Sequence, residues 1–271
     1  MTRLAGYRPL ALWSMSTVIP SASAFGLVLR FLARQYHLRE LGVDVGAGNT
    51  SLGLAEGDTL EQIVQTNLGT GAGCGHILQT AGAAGIARWL PFEMSDDQVQ
   101  DYVANRQARP WTIPETIQEV WLDQALAREA LRSLGGSPYR ADLILGSGGT
   151  LAHAGQPGQA ALTLLDGLEP VGVTHLAVDN ALMLPALGAV AGLQPQAAGE
   201  VVVGDALVRL GTAICPLGRG QEGKVALRAN LRYADGKGLQ VEVPYGTLEQ
   251  IALEPGQKAR RQLTPAILRA I

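Results

Sequence analysis

Two short apolar runs, each ending at once in a glycine-rich turn, constrain the fold of this chain more than any other feature. Leu41 to Val45 runs into Gly46-Ala47-Gly48-Asn49-Thr50, and Asp142 to Leu145 runs into Gly146-Ser147-Gly148-Gly149-Thr150. A few apolar residues bounded by turn residues predict a buried strand, because a strand covered on both faces needs no polar alternation. Ser51 to Ala55 and Gln62 to Thr66 predict two more strands, folded back around Glu56-Gly57-Asp58 as a meander, and Gly69 to Gly75 predicts a further bend. Helical spacing fills the intervals. The first helix is expected over residues 20–38, with Ala24, Leu27, Val28, Phe31 and Leu32 on one face and Pro20 in its first turn. A small-residue helix follows at Ile77 to Leu90. Two helix starts are signalled by Ser95 with Gln98, and by Thr112 with Glu115 and Pro114. The second of these should run to Leu134, with Ile117, Val120, Trp121, Gln124, Ala125 and Leu131 on one face and Gly135-Gly136 as its stop. A helix near Gln159 to Leu168, a strand at Thr174 to Val178 and a helix near Leu182 to Ala191 complete the series. Strand alternating with helix predicts an α/β fold: a mixed sheet with helices on its faces.

Beyond Gln194 the texture changes. Val225 to Tyr233 and Leu239 to Val243 alternate apolar and polar residues around Ala234-Asp235-Gly236-Lys237-Gly238, an antiparallel hairpin, and Leu248 to Leu253 is expected to add a strand. The expected division is a lobe over residues 1–195 and a small β-rich subdomain over residues 196–271. With 271 residues, 47% of them apolar, the chain can bury a large core. A formal charge of -3 and an aromatic content of 5% leave neither a basic field for a phosphate backbone nor a platform for stacked bases, so nucleic acid is excluded as a partner. No apolar stretch is long enough to span a bilayer. Cys74 and Cys215 form no metal or disulfide pattern, and a reduced, cytoplasmic setting is the expectation. A competing reading takes Arg3, Arg8 and the run Pro9 to Ile19, followed by Ala22-Ser23-Ala24, as an export signal. It ranks second, because Ser14, Ser16, Thr17 and Pro20 interrupt the run and the helical pattern continues through the supposed cleavage point.

The first glycine turn carries the most chemistry. Asp44 lies near the end of its strand, followed by a turn and the hydroxyls of Thr50 and Ser51. Such a turn can aim backbone N–H groups at phosphate oxygens while the carboxylate holds magnesium or its waters. The plainer alternative is a hairpin in which Asp and Gly only shape the bend. The second loop has no bulky side chain, so a ring or a phosphate can lie against its backbone, yet it matches neither the dinucleotide fingerprint nor the Walker spacing.

In this order, and with Leu184 to Gly192 after them, the two loops resemble the second phosphate loop, the adenosine loop and the connecting helix of the actin, heat-shock ATPase and sugar-kinase superfamily. Within it the chain resembles the MutL-type accessory protein of the cobalamin-dependent glutamate mutase, which is unrelated to the mismatch-repair protein of that name. The likeness runs from about Ser16 to about Leu253. It is also carried by Pro20 to Ala24, Leu165 to Val173, Leu210 to Gly218 and Val241 to Gly246. The resemblance implies an actin-like (RNase H-like) fold. It implies a factor that uses ATP and Mg2+ to open and close a cleft and so reactivate a cobalamin-dependent mutase, with the mutase subunits as partners. On that basis Asp44 would orient the metal or a catalytic water. Gly46, Ala47, Gly48, Asn49 and Thr50 would wrap the terminal phosphates, and Gly146, Ser147, Gly148, Gly149 and Thr150 would back the adenosine.

The chain departs from the family pattern where Ala47 follows Gly46 and Leu52 follows Ser51, in place of a second glycine and an acidic residue. The opposing glycine turn that clamps the nucleotide in relatives is not found before Val43. The expectation is therefore a C-terminal portion whose other lobe is lost, is supplied by another chain, or is no longer needed because hydrolysis has ceased. The alternative function is a non-hydrolysing module of the same fold that serves as an interaction surface. A small-molecule kinase would need a sugar lobe and a base that the sequence does not offer. His76, His153 and His175 are scattered and read as packing or surface residues, and Asp166 and Asp179 as helix-cap or strand-end residues.

Overall fold

The structure, a computed structural model, describes residues 18–136, 138–253 and 259–265. The export-signal reading of the N-terminus falls mostly outside the described residues, and its Ala22-Ser23-Ala24 lies in the first turn of a helix, α1 (Ser21–Tyr36). The chain divides into two compact units, Met1–Ala213 and Ile214–Ile271.

In the first unit α1 is followed by β1 (Arg39–Val45), β2 (Thr50–Glu56) and β3 (Thr59–Gln65). Three helices come next, α2 (Cys74–Ala87), α3 (Asp96–Ala108) and α4 (Ile117–Ser133), then β4 (Leu143–Ser147), a short α5 (Gly149–Ala152) and α6 (Pro157–Leu168). After them run β5 (Gly172–Asp179), α7 (Leu184–Ala191), α8 (Pro195–Val201), a single π-type turn and β6 (Leu207–Cys215). The six strands form one sheet in the order β3-β2-β1-β4-β5-β6, with β1 antiparallel to β2 and parallel to β4, and β4 parallel to β5. This is the expected mixed sheet with helices on its faces.

Alternate strand residues enter two separate cores, as the period of a strand requires. Leu41, Val43, Ile144, Leu176 and Val178 pack beneath α2, α4 and α6 together with Ile77, Leu126 and Leu164. Leu145 and Ala177 face the other way and meet Phe25, Val28, Leu29 and Leu32 of α1 and Leu184 and Leu187 of α7. A Cβ on Gly42 would stand 2.3 Å from Leu29 Cδ2, and one on Gly53 would stand 2.7 Å from Leu29 Cδ1. Two glycines on adjacent strands thus admit Leu29 onto the sheet, where its full burial is worth about 2–3 kcal/mol.

Ser95 and Gln98 form the expected capping box on α3. For α4 the expectation needs correction, because Thr116 and Glu119 form the box rather than Thr112 and Glu115. The Glu119 carboxylate accepts from the N–H groups of both Glu115 and Thr116 (2.7 and 3.1 Å), while Thr112 turns back onto Arg109 and leaves Pro114 ahead of the helix. α2 starts earlier than expected and bends at Gly82, whose φ of 73° no helix continues through. β6 lies beyond the change of texture at Gln194 and was not expected as a strand of the large sheet.

The second unit holds a three-stranded antiparallel sheet ordered β8-β7-β9, made of β7 (Val225–Tyr233), β8 (Gly238–Pro244) and β9 (Ala259–Pro265). The hairpin is the expected one. Leu248 to Leu253 is not a strand: β8 takes one edge of β7, and Ala259–Pro265 takes the other.

Candidate functional site

β1, β4 and β5 are parallel, so their carboxyl ends open at one edge of the sheet, where ligands of open α/β sheets bind. Asp44, next to last in β1, is level with Ser51 on β2 and with Ser147 on β4. The Ser147 hydroxyl donates to Asp179 Oδ2 at the end of β5 (3.0 Å). Ser51, Asp44, Ser147 and Asp179 therefore form a polar row across four adjacent strands. Asp179 also accepts from the N–H groups of Met183 and Leu184, both at 3.0 Å, and so caps the start of α7. The Ser51 hydroxyl is buried without a hydrogen-bond partner. Burial raises the Asp44 carboxyl above its ordinary range, and the neighbouring charge of Asp179 raises it further.

Above this row three glycine bends lock together. Gly46 N–H donates to Asn49 O (3.0 Å), which closes the first loop, and the carbonyls of Gly46 and Ala47 accept from Thr70 N (3.0 Å), Gly71 N (2.8 Å) and Gly73 N (3.1 Å). The approach is close enough that a Cβ on Gly69 would lie 2.5 Å from the Ala47 carbonyl carbon. The Thr50 hydroxyl donates to Leu68 O. Thr70 Oγ1 meets Thr150 Oγ1 at 3.0 Å and ties this pair of bends to the second loop. There Gly148 has φ 98°, and a Cβ on it would lie 2.1 Å from Val45 O. Only glycine can make that turn against β1.

The residues named from sequence are thus brought together, with unequal access. Asp44, Gly46 and Gly48 are half-buried, Ala47 and Asn49 are exposed, and Thr50 is buried. Gly146 and Ser147 prove to be the last residues of β4 rather than loop, and Gly146, Ser147 and Gly148 are all buried. Gly149 is exposed and Thr150 half-buried. Gly48 and Gly149 look onto open space, with nothing within 4 Å of a Cβ placed on either. From sequence alone Gly69 to Gly75 is a bend without an assigned role. Its Gly-Thr-Gly start, alike in composition to the two named loops, is the signal that could have added Thr70 to the site.

His76, His153 and His175 are exposed, and His153 Nδ1 lies against its own turn at Gly149 O (3.0 Å). Asp166 pairs with Arg128 at 2.7 Å. Among the described residues no three His, Cys, Asp or Glu side chains gather as a metal site. A nucleotide-bound magnesium needs less, since phosphates and waters fill most of its shell and one or two carboxylates suffice. Backbone bends with open space at Gly48 and Gly149, two hydroxyls and one carboxylate suit a phosphate chain.

The sheet order, with glycine bends at the carboxyl ends of its parallel strands, defines a mixed α/β lobe with helices on both faces of a six-stranded sheet. The family model described as MutL protein matches residues 1–134, just under half of the chain. No curated protein matches significantly. Among solved structures, the chain is similar to the activator of the 2-hydroxyisocaproyl-CoA dehydratase from Clostridium difficile with bound ADPNP. That likeness has 13% identity and a TM-score of 0.36 and covers 66% of this chain and 68% of that one. It is also similar to the PilM-PilN type IV pilus biogenesis complex, at 23% identity and a TM-score of 0.30, covering 64% of this chain and 52% of that one.

Proposed function

We propose that the chain is an accessory ATPase-fold protein that serves a cobalamin-dependent mutase of the glutamate mutase kind. The observation that carries this reading is the joining of the glycine bends around Gly46, Gly69 and Gly148 at the end of β1, with Asp44 beneath them and open space at Gly48 and Gly149. In this reading Asp44 holds Mg2+ or a water bound to it. The backbone from Gly46 to Thr50 takes the terminal phosphates, and Gly148, Gly149 and Thr150 back the adenosine, with Gly146 and Ser147 fixing the end of β4. Bound nucleotide supplies the energy for a cleft to open and close, and a second chain completes the opposing side. The mutase subunits are the partners, in the cytoplasm. The match to the MutL protein family over residues 1–134 supports the partnership. Among the described residues no helix is long and apolar enough to cross a membrane.

A second reading, a non-hydrolysing module of the same fold, is favoured by one observation. Leu52 follows Ser51 where the family pattern has an acidic residue, so Asp44 is the one carboxylate between Val43 and Leu52 that a metal could use. Calorimetric titration of the purified chain with ATP and MgCl2 separates the two. Binding that weakens about tenfold or more in Asp44→Ala supports the nucleotide reading. No heat at millimolar ATP, with the fold intact by circular dichroism, refutes it in favour of the module.

A further inference from the structure

Next to the three bends lies a turn that the nucleotide reading does not use. Arg109 O accepts from both Thr112 N (3.1 Å) and Thr112 Oγ1 (2.9 Å), so Arg109 to Thr112 closes on itself with Pro110 and Trp111 at its tip. Arg106 fixes this turn to the helices beneath. Its guanidinium donates to Thr112 O, to Thr112 Oγ1 (2.9 Å) and to both oxygens of Asp123 (3.1 and 2.7 Å). The Arg106 and Asp123 side chains are only 11% and 5% exposed, so the anchor is interior although the turn is at the surface. At its tip Trp111 is 77% exposed, an unusual state for the largest apolar side chain and one that costs hydration without return in the free protein. The same tip touches the site, because a Cβ on Gly71 would stand 3.0 Å from Pro110 O. A short path therefore runs from Thr150 in the second loop through Thr70 and Gly71 to Pro110 and Trp111.

We propose that Trp111 supplies the aromatic face on which the base of the bound nucleotide stacks. The inference rests on the nucleotide reading and extends it from the phosphates to the base. A turn held by a buried ion pair loses little freedom when it receives a ligand, and pre-organisation of this kind is what makes a single aromatic contact effective. Stacking is tolerant of base identity, since every base has a π face, so the contact would add affinity for nucleotides over bare polyphosphate with little choice among bases.

The test titrates the full chain, Trp111→Ala and Trp111→Phe with MgATP and, separately, with magnesium tripolyphosphate. Because Trp111 is exposed, neither substitution disturbs the core. Trp111→Ala should weaken ATP binding about five- to hundredfold and leave tripolyphosphate binding unchanged, while Trp111→Phe should keep most of the ATP affinity. If wild type binds ATP and Trp111→Ala binds it equally well, the stacking inference falls while the nucleotide reading stands, and the exposed indole is then a contact for another protein. Equal weakening toward both ligands also overturns it, since the base would not be involved. If wild type binds neither ligand, the nucleotide reading falls and this inference with it.

Discussion

Glu40 lies on β1, level with Ala55 on β2 and Leu143 on β4, and is fully buried with neither carboxyl oxygen hydrogen-bonded. Strand alternation sets it on the same side as Gly42, beneath α1 and Leu29. Its only perturbation is loss of water, which raises its carboxyl well above the ordinary 4.5. The folded state therefore binds the proton more tightly than the unfolded chain does. Stability must fall as pH rises from about 4.5 through the folded-state value, because over that interval the unfolded chain releases the proton first. Glu40→Met keeps the unbranched shape and removes both orphaned oxygens. A buried unsatisfied polar group costs about 1–3 kcal/mol, so the variant should gain an amount of that order near neutral pH. For a unit of this size that corresponds to a rise in Tm of about 2–4 °C per kcal/mol. Urea unfolding followed by circular dichroism from about pH 4 to about pH 8 checks the sign: the gain should grow with pH, and the downward slope of the wild type should flatten in the variant. A loss of stability of similar size at both ends of that range would refute the reasoning, since it would mean that the carboxyl makes a favourable contact.

Gly148→Ala should destabilise by about 3 kcal/mol or more, combining an unfavourable positive φ with a Cβ forced against Val45 O, and thermal unfolding within a degree or so of wild type would contradict this. Arg106→Met leaves the Asp123 carboxylate buried without its ionic partner, with only the Tyr102 hydroxyl (2.9 Å) still donating to it among the described side chains, and should cost about 3–5 kcal/mol in urea unfolding. Adding Asp123→Leu should recover most of that loss, and a double variant no better than the single one would show that the pair does not act as a unit.

Features encoded within a few residues were legible in the sequence. The Ser95 and Gln98 box, the stop after α4 and the β7–β8 hairpin all rest on spacings of two to five residues and match the structure, whereas the α1 face is centred on Phe25, Val28, Leu29 and Leu32, with the expected Leu27 and Phe31 only half-buried. Thr112 misled because a second box, Thr116 with Glu119, lies four positions on, and Glu119 wins by also taking the Glu115 N–H. The site was legible only in part. That glycine turns end the two parallel strands could be read, but the contact between Thr70 and Thr150 joins residues 80 apart and leaves no periodic trace. Ser147 was read as loop because its composition is that of a turn. Its hydroxyl is buried instead because Asp179, 32 residues further on, is there to accept it.

The pairing of β1 with β4 has a further consequence. Their first bridge joins Glu40 to Leu143, so the helices α2, α3 and α4 and everything around them lie inside the loop that this pairing closes. Closing a loop of roughly a hundred residues costs chain entropy before any contact rewards it, whereas those helices form from near neighbours. Folding of the centre of the sheet is thus gated by collapse of the insert. A chain released before β4 has emerged would hold the first glycine bend without the strand that steadies it.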